Sequence, residues 1–307
     1  MELPTLNICR ILCPVDFSDA SGHAVEQAVA IAGWYNAQIT ALHVYSPLFM
    51  PVPGLPPPAE RVSEAELRRV RDQTAASVRS AAAAGVAVDV AIEIGYPASA
   101  ILDYAARLPA KLIVMGTHGA GGFEHLALGS VAEKVIRKAT CPVLTVPPRA
   151  RATSVLPFRR LLCAVDFSDS SLAGLVFACS LARESGAALT ILHVIDWPWV
   201  EPREPAYGRL PSKHATALAE FLEYLEKSER DRLETVVPGE LRAHCTSQLA
   251  VRHGKPYVEI LRAAEEVRAD LIVVGVHGRN VIDTTLFGST TNQVVRRATC
   301  PVLTLKQ

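Results

Sequence analysis

Two copies of a glycine-rich motif carry the residue types that a phosphate site needs. The first copy reads GTHG, then nine residues, then GS, and its defining residues are Gly116, Gly119, Gly129 and Ser130. The second copy reads GVHG with the same spacing to GS, and its defining residues are Gly275, Gly278, Gly288 and Ser289. Glycine lets the backbone approach a ligand closely and take positive φ. Each Gly-Ser pair precedes a helical pattern, and a helix N-terminus offers unpaired N–H groups and a favourable dipole to an anion.

The same motif has a purely structural interpretation, in which the glycines turn the chain and Ser130 only caps a helix. The motif has the spacing Gly-x-x-Gly-x9-Gly-Ser and lies between a predicted strand and a predicted helix. This spacing and this position favour the phosphate interpretation. The motif is not a Walker A loop, because the chain contains no Gly-Lys-Ser or Gly-Lys-Thr. It also differs from the dinucleotide fingerprint, which follows a first strand with Gly-x-Gly-x-x-Gly.

A carboxylate and a valine recur at the ends of two other predicted strands. Asp16 and Asp166 each follow the first apolar run of their half of the chain. Each carboxylate could accept a hydrogen bond from a ribose hydroxyl or an adenine amino group, or it could belong to the capping of the next helix. Val44 and Val194 follow a histidine at the end of the second run, where they could contact a flat base or simply lie in the core.

Signals for metal binding and catalysis are weak. His118 and His277 occupy the same position in the two loops, but neither has a second histidine or a cysteine at the spacing of a zinc site. The chain has no Ser-His-Asp order, no H-E-x-x-H and no Cys-x-x-Cys. We therefore predict no catalytic residue and no metal held directly by side chains.

An internal duplication organises the elements that must position these residues. RILCPVDFSDAS at 10–21 recurs as RLLCAVDFSDSS at 160–171, an offset of 150. RKATCPVLTV at 137–146 recurs as RRATCPVLTL at 296–305, an offset of 159, so the second copy has nine additional residues. We predict homologous domains at 1–148 and 158–307, which we call repeat 1 and repeat 2, joined by a Pro- and Arg-rich linker.

Within each repeat, short apolar runs alternate with segments of helical period. This alternation predicts an α/β fold, with two doubly wound domains that each have a five-stranded parallel sheet and helices on both faces. In repeat 1 the predicted strands are 10–15, 38–44, 88–94, 111–116 and 142–146. The predicted helices are 19–35, 64–84, 98–107 and 130–139.

Composition restricts the class of protein. The 307 residues carry 31 basic and 31 acidic side chains, so the chain lacks the positive field that binding to nucleic acid or an anionic membrane requires. No apolar run reaches the 18 residues of a spanning helix. The first residues, MELPTLNICRILCPVD, contain no basic segment followed by a long apolar stretch, so we expect no secretory signal. Seven scattered cysteines, of which Cys13, Cys163 and Cys179 lie in predicted core, fit a reducing cytoplasm.

Together, the two glycine motifs, the Val-Asp and His-Val strand ends and the closing CPVLT resemble the universal stress protein family over nearly the whole chain. The resemblance implies a tandem-domain stress-response regulator that binds ATP or a related adenine nucleotide, with Mg²⁺ held through the phosphates. In repeat 1, it implies that Asp16 and Val44 face ribose and adenine. Ribose and phosphates would contact Met115, Gly116, Gly119, Gly129, Ser130 and Val131. The matching residues of repeat 2 are Asp166, Val194, Val274, Gly275, Gly278, Gly288, Ser289 and Thr290.

The resemblance also implies that two domains pair through their final strands, 143–146 and 302–305, within one chain or between the chains of a homodimer. It leaves the protein partner unknown. Two other functions stay open at this point. One is a slow ATP hydrolase or autophosphorylating enzyme, and the other is an interaction module without nucleotide.

Overall fold

A computed structural model describes residues 3–46, 62–117, 128–148, 158–196, 212–237, 239, 246–278 and 288–306. Repeat 1 has five strands, β1 Arg10–Pro14, β2 Gln38–Tyr45, β3 Val88–Ile94, β4 Leu112–Gly116 and β5 Val143–Val146. Its helices are α1 Asp19–Tyr35, α2 Glu64–Ser77, α3 Arg79–Ala83, α4 Pro97–Arg107 and α5 Ser130–Lys138. The linker between 149 and 157 lies outside the described residues.

Repeat 2 follows the same order. Its strands are β6 Arg160–Ala164, β7 Ala188–Ile195, β8 Ser247–His253, β9 Leu271–Gly275 and β10 Val302–Leu305. Its helices are α6 Asp169–Ser185, α7 Ser212–Val236, α8 Pro256–Glu266 and α9 Ser289–Arg297. The predicted α/β class, with strands and helices alternating twice along the chain, is confirmed.

The ten strands in the described part of the chain form one sheet, in the order β3-β2-β1-β4-β5-β10-β9-β6-β7-β8. Pairing is parallel within each repeat and antiparallel between β5 and β10. At the centre of this junction Leu144 faces Leu303, its equivalent at an offset of 159. The buried hydroxyls of Thr145 and Thr304 donate reciprocally across it, each at 3.1 Å, to the carbonyls of Val302 and Val143. The final strands therefore pair within the chain, around a local twofold axis.

Two apolar layers cover the sheet, and each of them spans both repeats. One face is packed by α1 and α6, with Leu233 of α7. The opposite face is packed by α4, α5, α8 and α9. Cys13, Cys163 and Cys179 are fully buried in the first layer, as predicted. Burial raises the pKa of the Cys13 thiol to about 12, so this thiol stays protonated.

Polar contacts outside the sheet also join the repeats. The carboxylate of Glu184, on α6, accepts hydrogen bonds from the hydroxyl of Tyr35 and from the backbone N–H of Leu6, both at 2.7 Å. Arg183 donates to the carbonyls of Leu3 and Pro4. Burial, together with the Glu184 carboxylate, raises the pKa of Tyr35. The N-terminal segment of repeat 1 is therefore bound to a helix of repeat 2.

The prediction of a single helix over 64–84 is wrong. Helix α2 ends at Ser77, and Val78 adopts φ −109° and ψ 15° before α3 begins. The hydroxyl of Ser77 donates to the carbonyl of Thr74, three residues earlier, at 2.7 Å. Short polar side chains offer the backbone such local alternatives to helical hydrogen bonds, so this site favours the break.

Helix α7 differs most from its repeat 1 counterpart, with 25 residues where α2 has 14. Both helices cover an edge of the sheet in the same manner. Arg71 of α2 donates to the carbonyl of Val90 in β3 at 3.2 Å, and Arg230 of α7 donates to that of Leu249 in β8 at 3.4 Å. Among the helices that the structure describes, including α7, none has the length and apolar character that crossing a membrane requires.

The β5–β10 junction predicts the behaviour of an isolated repeat. Without β10, strand β5 exposes an apolar edge that favours pairing with another chain. We expect residues 1–148, expressed alone, to form a homodimer through β5, as measured by analytical ultracentrifugation. A Leu144→Lys variant of the same fragment is the control and should sediment as a monomer. A monomeric and soluble unmodified fragment would contradict the prediction.

Candidate functional site

In each repeat, a cavity lined by described residues lies at the point where the strand order reverses. Chain order runs outward from β1 to β2 and β3, and then resumes on the other side of β1 with β4. Open parallel sheets bind ligands beyond the carboxyl ends of the strands at such a point. A cavity of about 410 Å³ lies there in repeat 1, and we call it site 1. The equivalent cavity of repeat 2, about 470 Å³, is site 2.

The structure brings the residues predicted for each site together. Site 1 is lined by seven of its eight predicted residues, Asp16, Val44, Met115, Gly116, Gly129, Ser130 and Val131. The eighth, Gly119, lies outside the described residues. Site 2 is lined by all of its predicted residues, Asp166, Val194, Val274, Gly275, Gly278, Gly288, Ser289 and Thr290.

Both cavities contain the N-terminus of a helix that lacks a side-chain cap. Gly129 and Gly288 are the capping residues of α5 and α9, and neither helix has a capping hydrogen bond from a side chain. Ser130 and Ser289 are the first helical residues, so the interpretation of Ser130 as a cap is wrong. The first N–H groups and the helix dipole make each terminus attractive to an anion.

Helix packing, and not a ligand, explains two of the predicted glycines. A Cβ on Gly116 would lie 2.9 Å from the backbone carbonyl carbon of Ala20, at the start of α1. A Cβ on Gly275 would lie 2.7 Å from the backbone nitrogen of Ser171 in α6. The sequence suggested that the glycines of the loops take positive φ, but the described loop glycines do not. Gly129 and Gly288, for example, have φ near −60°. These glycines allow close approach of the backbone rather than an unusual backbone conformation.

Gly278 differs, because its neighbour is a predicted ligand-binding side chain. A Cβ at this position would lie 3.0 Å from Oδ2 of Asp166. The glycine loop and the carboxylate therefore meet in site 2, beyond the ends of β9 and β6. These two strands do pair, through Leu161–Cys163 and Leu271–Val273.

The carboxylate at the end of the first strand also supports the cap of the following helix. Oδ1 of Asp16 accepts from the backbone N–H of Ser18 at 3.1 Å and from its hydroxyl at 2.6 Å. Ser18 in turn caps α1 by accepting from Ser21 N. Asp166 and Ser168 repeat this arrangement in α6. The capping interpretation is thus correct, and the same carboxylates also line the cavities.

The residue after each carboxylate is a phenylalanine that contacts a histidine, and this contact was not predicted from the sequence. Phe17 has φ 66° in the left-handed region and stacks on His43 with ring centroids 4.5 Å apart. Nδ1 of His43 lies 2.8 Å from the carbonyl oxygen of Val15. Phe167 and His193 make the equivalent contacts in repeat 2. The recurrence of VDF and LHV at one offset was the available signal.

The two sites differ in hydrogen bonding at the start of the glycine loop. Ser170, where repeat 1 has Ala20, donates to the carbonyl of His277 at 2.7 Å. Thr291, where repeat 1 has Ala132, donates to the carbonyl of Gly275 at 2.7 Å. These bonds hold α6, α9 and the end of β9 together in repeat 2. In the part of the chain that the structure describes, no group of three or more His, Cys, Asp or Glu side chains could hold a metal ion.

Comparison with known proteins decides the family. The model of the universal stress protein family matches residues 8–147 and again residues 157–306. The chain belongs to the universal stress protein family. It is a tandem member, since the two matches cover both repeats.

Relatives of this universal stress protein align over nearly all of the chain or over about half of it. A universal stress protein of Mycolicibacterium smegmatis is 28% identical over 303 residues, which is 96% of each chain. A universal stress protein of Methanocaldococcus jannaschii is 38% identical over 139 residues, covering 45% of this chain and 81% of that protein. The crystal structure of a universal stress protein from Archaeoglobus fulgidus has the same fold, with a TM-score of 0.65 at 24% identity, over 97% of this chain and 98% of the other.

The packing of Gly116 and Gly275 gives a prediction about stability. Gly116→Ala and Gly275→Ala should each lower the free energy of unfolding by about 1–3 kcal/mol, since the added methyl group forces the helix backbone away. Urea denaturation measures the change. Gly33→Ala, on α1 where a Cβ meets nothing within 4 Å, is the matched control and should not be destabilised. Wild-type stability of both variants would show that the helices can move without cost.

Proposed function

We propose that this universal stress protein is a regulatory protein that binds an adenine nucleotide, ATP or a close relative, at site 1 and at site 2. One observation carries the proposal. In each repeat, a carboxylate, an apolar wall and an uncapped helix N-terminus line the same cavity. A nucleotide has the matching three parts, which are a ribose with hydroxyl donors, an apolar base and anionic phosphates.

The proposed pose follows from where these groups lie. The first N–H groups of α5 and α9, with Ser130 and Ser289, would bind phosphate oxygens. Asp16 and Asp166 would accept hydrogen bonds from ribose hydroxyls. Val44 and Val194, at the ends of β2 and β7, would pack against the base. The cavity volumes lie in the range of small-molecule sites.

Magnesium would enter with the nucleotide rather than bind to side chains. The acidic residues of the described lining lie at the ends of the first and second strands and on α7, and not at the first residues of α5 or α9. Bound Mg²⁺ would therefore be held by the phosphates, whose charge it partly neutralises. The chain's own residues bind and orient the nucleotide in this proposal, and we assign no step of turnover to them.

We also propose that the protein is located in the cytoplasm. All six cysteines that the structure describes are free thiols, which fits a reducing compartment.

A native purification tests the proposed function directly. Protein purified without denaturant is heated to release bound molecules, which are identified and counted by mass spectrometry. We expect adenine nucleotide at up to two molecules per chain. Protein that carries no nucleotide and shows no heat of binding on titration with ATP and Mg²⁺ would favour an interaction module. Steady conversion of ATP to ADP would instead favour the hydrolase.

The helix termini allow each site to be weakened separately, and we call the unmodified site of such a variant the open site. Ser130→Asp and Ser289→Asp place a carboxylate at the first residue of α5 or α9, where it suits the helix dipole and should preserve the fold. Each substitution should weaken ATP binding at its own site about tenfold or more, because one unit charge costs about 1 kcal/mol for each phosphate charge at roughly 4 Å in water. Isothermal titration calorimetry measures the loss.

Ser130→Ala and Ser289→Ala are the matched controls, since they remove only one hydroxyl. They should weaken binding several-fold less than the charged variants do. Equal affinities for the aspartate and alanine variants would show that the phosphates do not lie at these helix termini.

A further inference from the structure

Helix α7 brings a charged side chain to site 2. Glu229 lines this cavity together with His193, and its Oε2 lies 3.8 Å from Nε2 of His193. His193 is 4% exposed, and the Oε2 atom is buried without a hydrogen-bond partner among the described residues. The wall of site 2 thus contains a carboxylate and an imidazole in close contact.

Repeat 1 has an apolar residue at the position of Glu229. The equivalent contacts of Arg71 and Arg230 with the edge strands align α2 and α7 at an offset of 159. At that offset the counterpart of Glu229 is Val70, which is 8% exposed. Site 1 is therefore an internal reference, with the same histidine position but no equivalent carboxylate.

Hydrogen bonding determines which nitrogen of His193 carries a proton. Nδ1 lies 2.7 Å from the carbonyl oxygen of Val165, and because a carbonyl only accepts, Nδ1 is the donor. In the neutral ring, Nε2 then directs a lone pair at the carboxylate of Glu229. One added proton replaces this unfavourable contact with an imidazolium–carboxylate pair. His43 makes the same Nδ1 contact at 2.8 Å, but Val70 offers no such acceptor.

Other charged groups surround the His193–Glu229 pair. Nη1 of Arg232 lies 3.7 Å from Oε2 of Glu229. The same guanidinium lies 4.0 Å from the centre of the Phe167 ring, which contacts His193. Further charged or titratable groups on the neighbouring elements are Asp166, Asp196 and His277 around the cavity, and Glu226, Arg230 and His253 between α7 and β8.

We propose that the His193–Glu229 pair makes nucleotide binding at site 2 proton-linked, while site 1 lacks this linkage. The proposal rests on the proposed nucleotide-binding function. With the proton bound, the pair has no net charge. Loss of the proton lowers the charge of the cavity wall by one unit, which weakens its attraction for an anionic ligand. Affinity at site 2 therefore falls as the pH rises through the range in which histidine titrates, and binding of the anion draws a proton onto the pair.

The relative occupancy of the two sites then depends on pH. Acidification strengthens site 2 relative to site 1, so the number of nucleotides bound per chain reports the proton concentration. The effect on an anion at roughly 6 Å is about threefold for each phosphate charge by Coulomb's law in water. A tandem chain can thus combine a site that has this proton linkage with a reference site that lacks it.

Isothermal titration calorimetry on chains with one open site tests the linkage. Ser130→Asp leaves site 2 open, and Ser289→Asp leaves site 1 open. ATP with Mg²⁺ is titrated into each variant at about pH 6 and about pH 8, in buffers with different ionisation enthalpies. We expect the affinity of site 2 to fall about threefold or more relative to site 1, with proton uptake on binding in excess of that at site 1. Ionisation of ATP itself affects both sites and cancels in the ratio.

Substitution of Glu229 in the Ser130→Asp background assigns the effect to the pair. Glu229→Val installs the residue of repeat 1 and should abolish the difference between the sites. Glu229→Gln keeps the size of the side chain and should do the same if the valine variant fails to fold. Adenosine, which has no charge, should bind site 2 with little dependence on pH.

The outcomes separate this proposal from the one on which it rests. Parallel pH profiles at the two sites, or a difference that survives both Glu229 substitutions, would overturn the proton linkage alone. Absence of ATP binding at both sites and at both pH values would overturn the nucleotide-binding function, and the linkage with it.

Discussion

The antiparallel contact between β5 and β10 is the interaction on which the rest of the fold depends. It turns two five-stranded sheets into one and lets each apolar layer continue from repeat 1 into repeat 2. Leu144 faces its own equivalent, Leu303, at the centre of the junction. The junction is therefore symmetric, and the two equivalent strands make matching contacts with each other. Buried threonine hydroxyls on both sides donate to backbone carbonyls, so the hydroxyls add hydrogen bonds without leaving buried donors unpaired.

Much of this architecture could be predicted from the sequence, because the strands are buried on both faces and therefore appear as continuous apolar runs. The prediction failed where short-range hydrogen bonding decides the backbone. The break at Val78 depends on a serine hydroxyl that bonds within its own turn, and helical periodicity does not register such a contact. The left-handed φ of Phe17 was not predicted either, and its ring packs against His43 of another strand, a contact between distant parts of the sequence.

The composition of the sites was easier to predict than the role of each residue. Spacing placed the glycines, serines and aspartates around two cavities, because the ends of neighbouring parallel strands meet at one edge of the sheet. Gly116 and Gly275 belong to these cavities, but close helix packing is what excludes a side chain there. Glu229 could not be found from the motifs, since it comes from a helix whose length and sequence differ between the repeats.

The direction of the strands at the junction has a consequence for recognition. Strands β4 and β9 run in opposite directions, because each is parallel to one member of the antiparallel β5–β10 pair. Their carboxyl ends, and the two cavities with them, therefore open at opposite edges of the sheet. A protein that docks over one mouth leaves the other accessible to solvent. The mouths of the two cavities are thus separate surfaces of one chain.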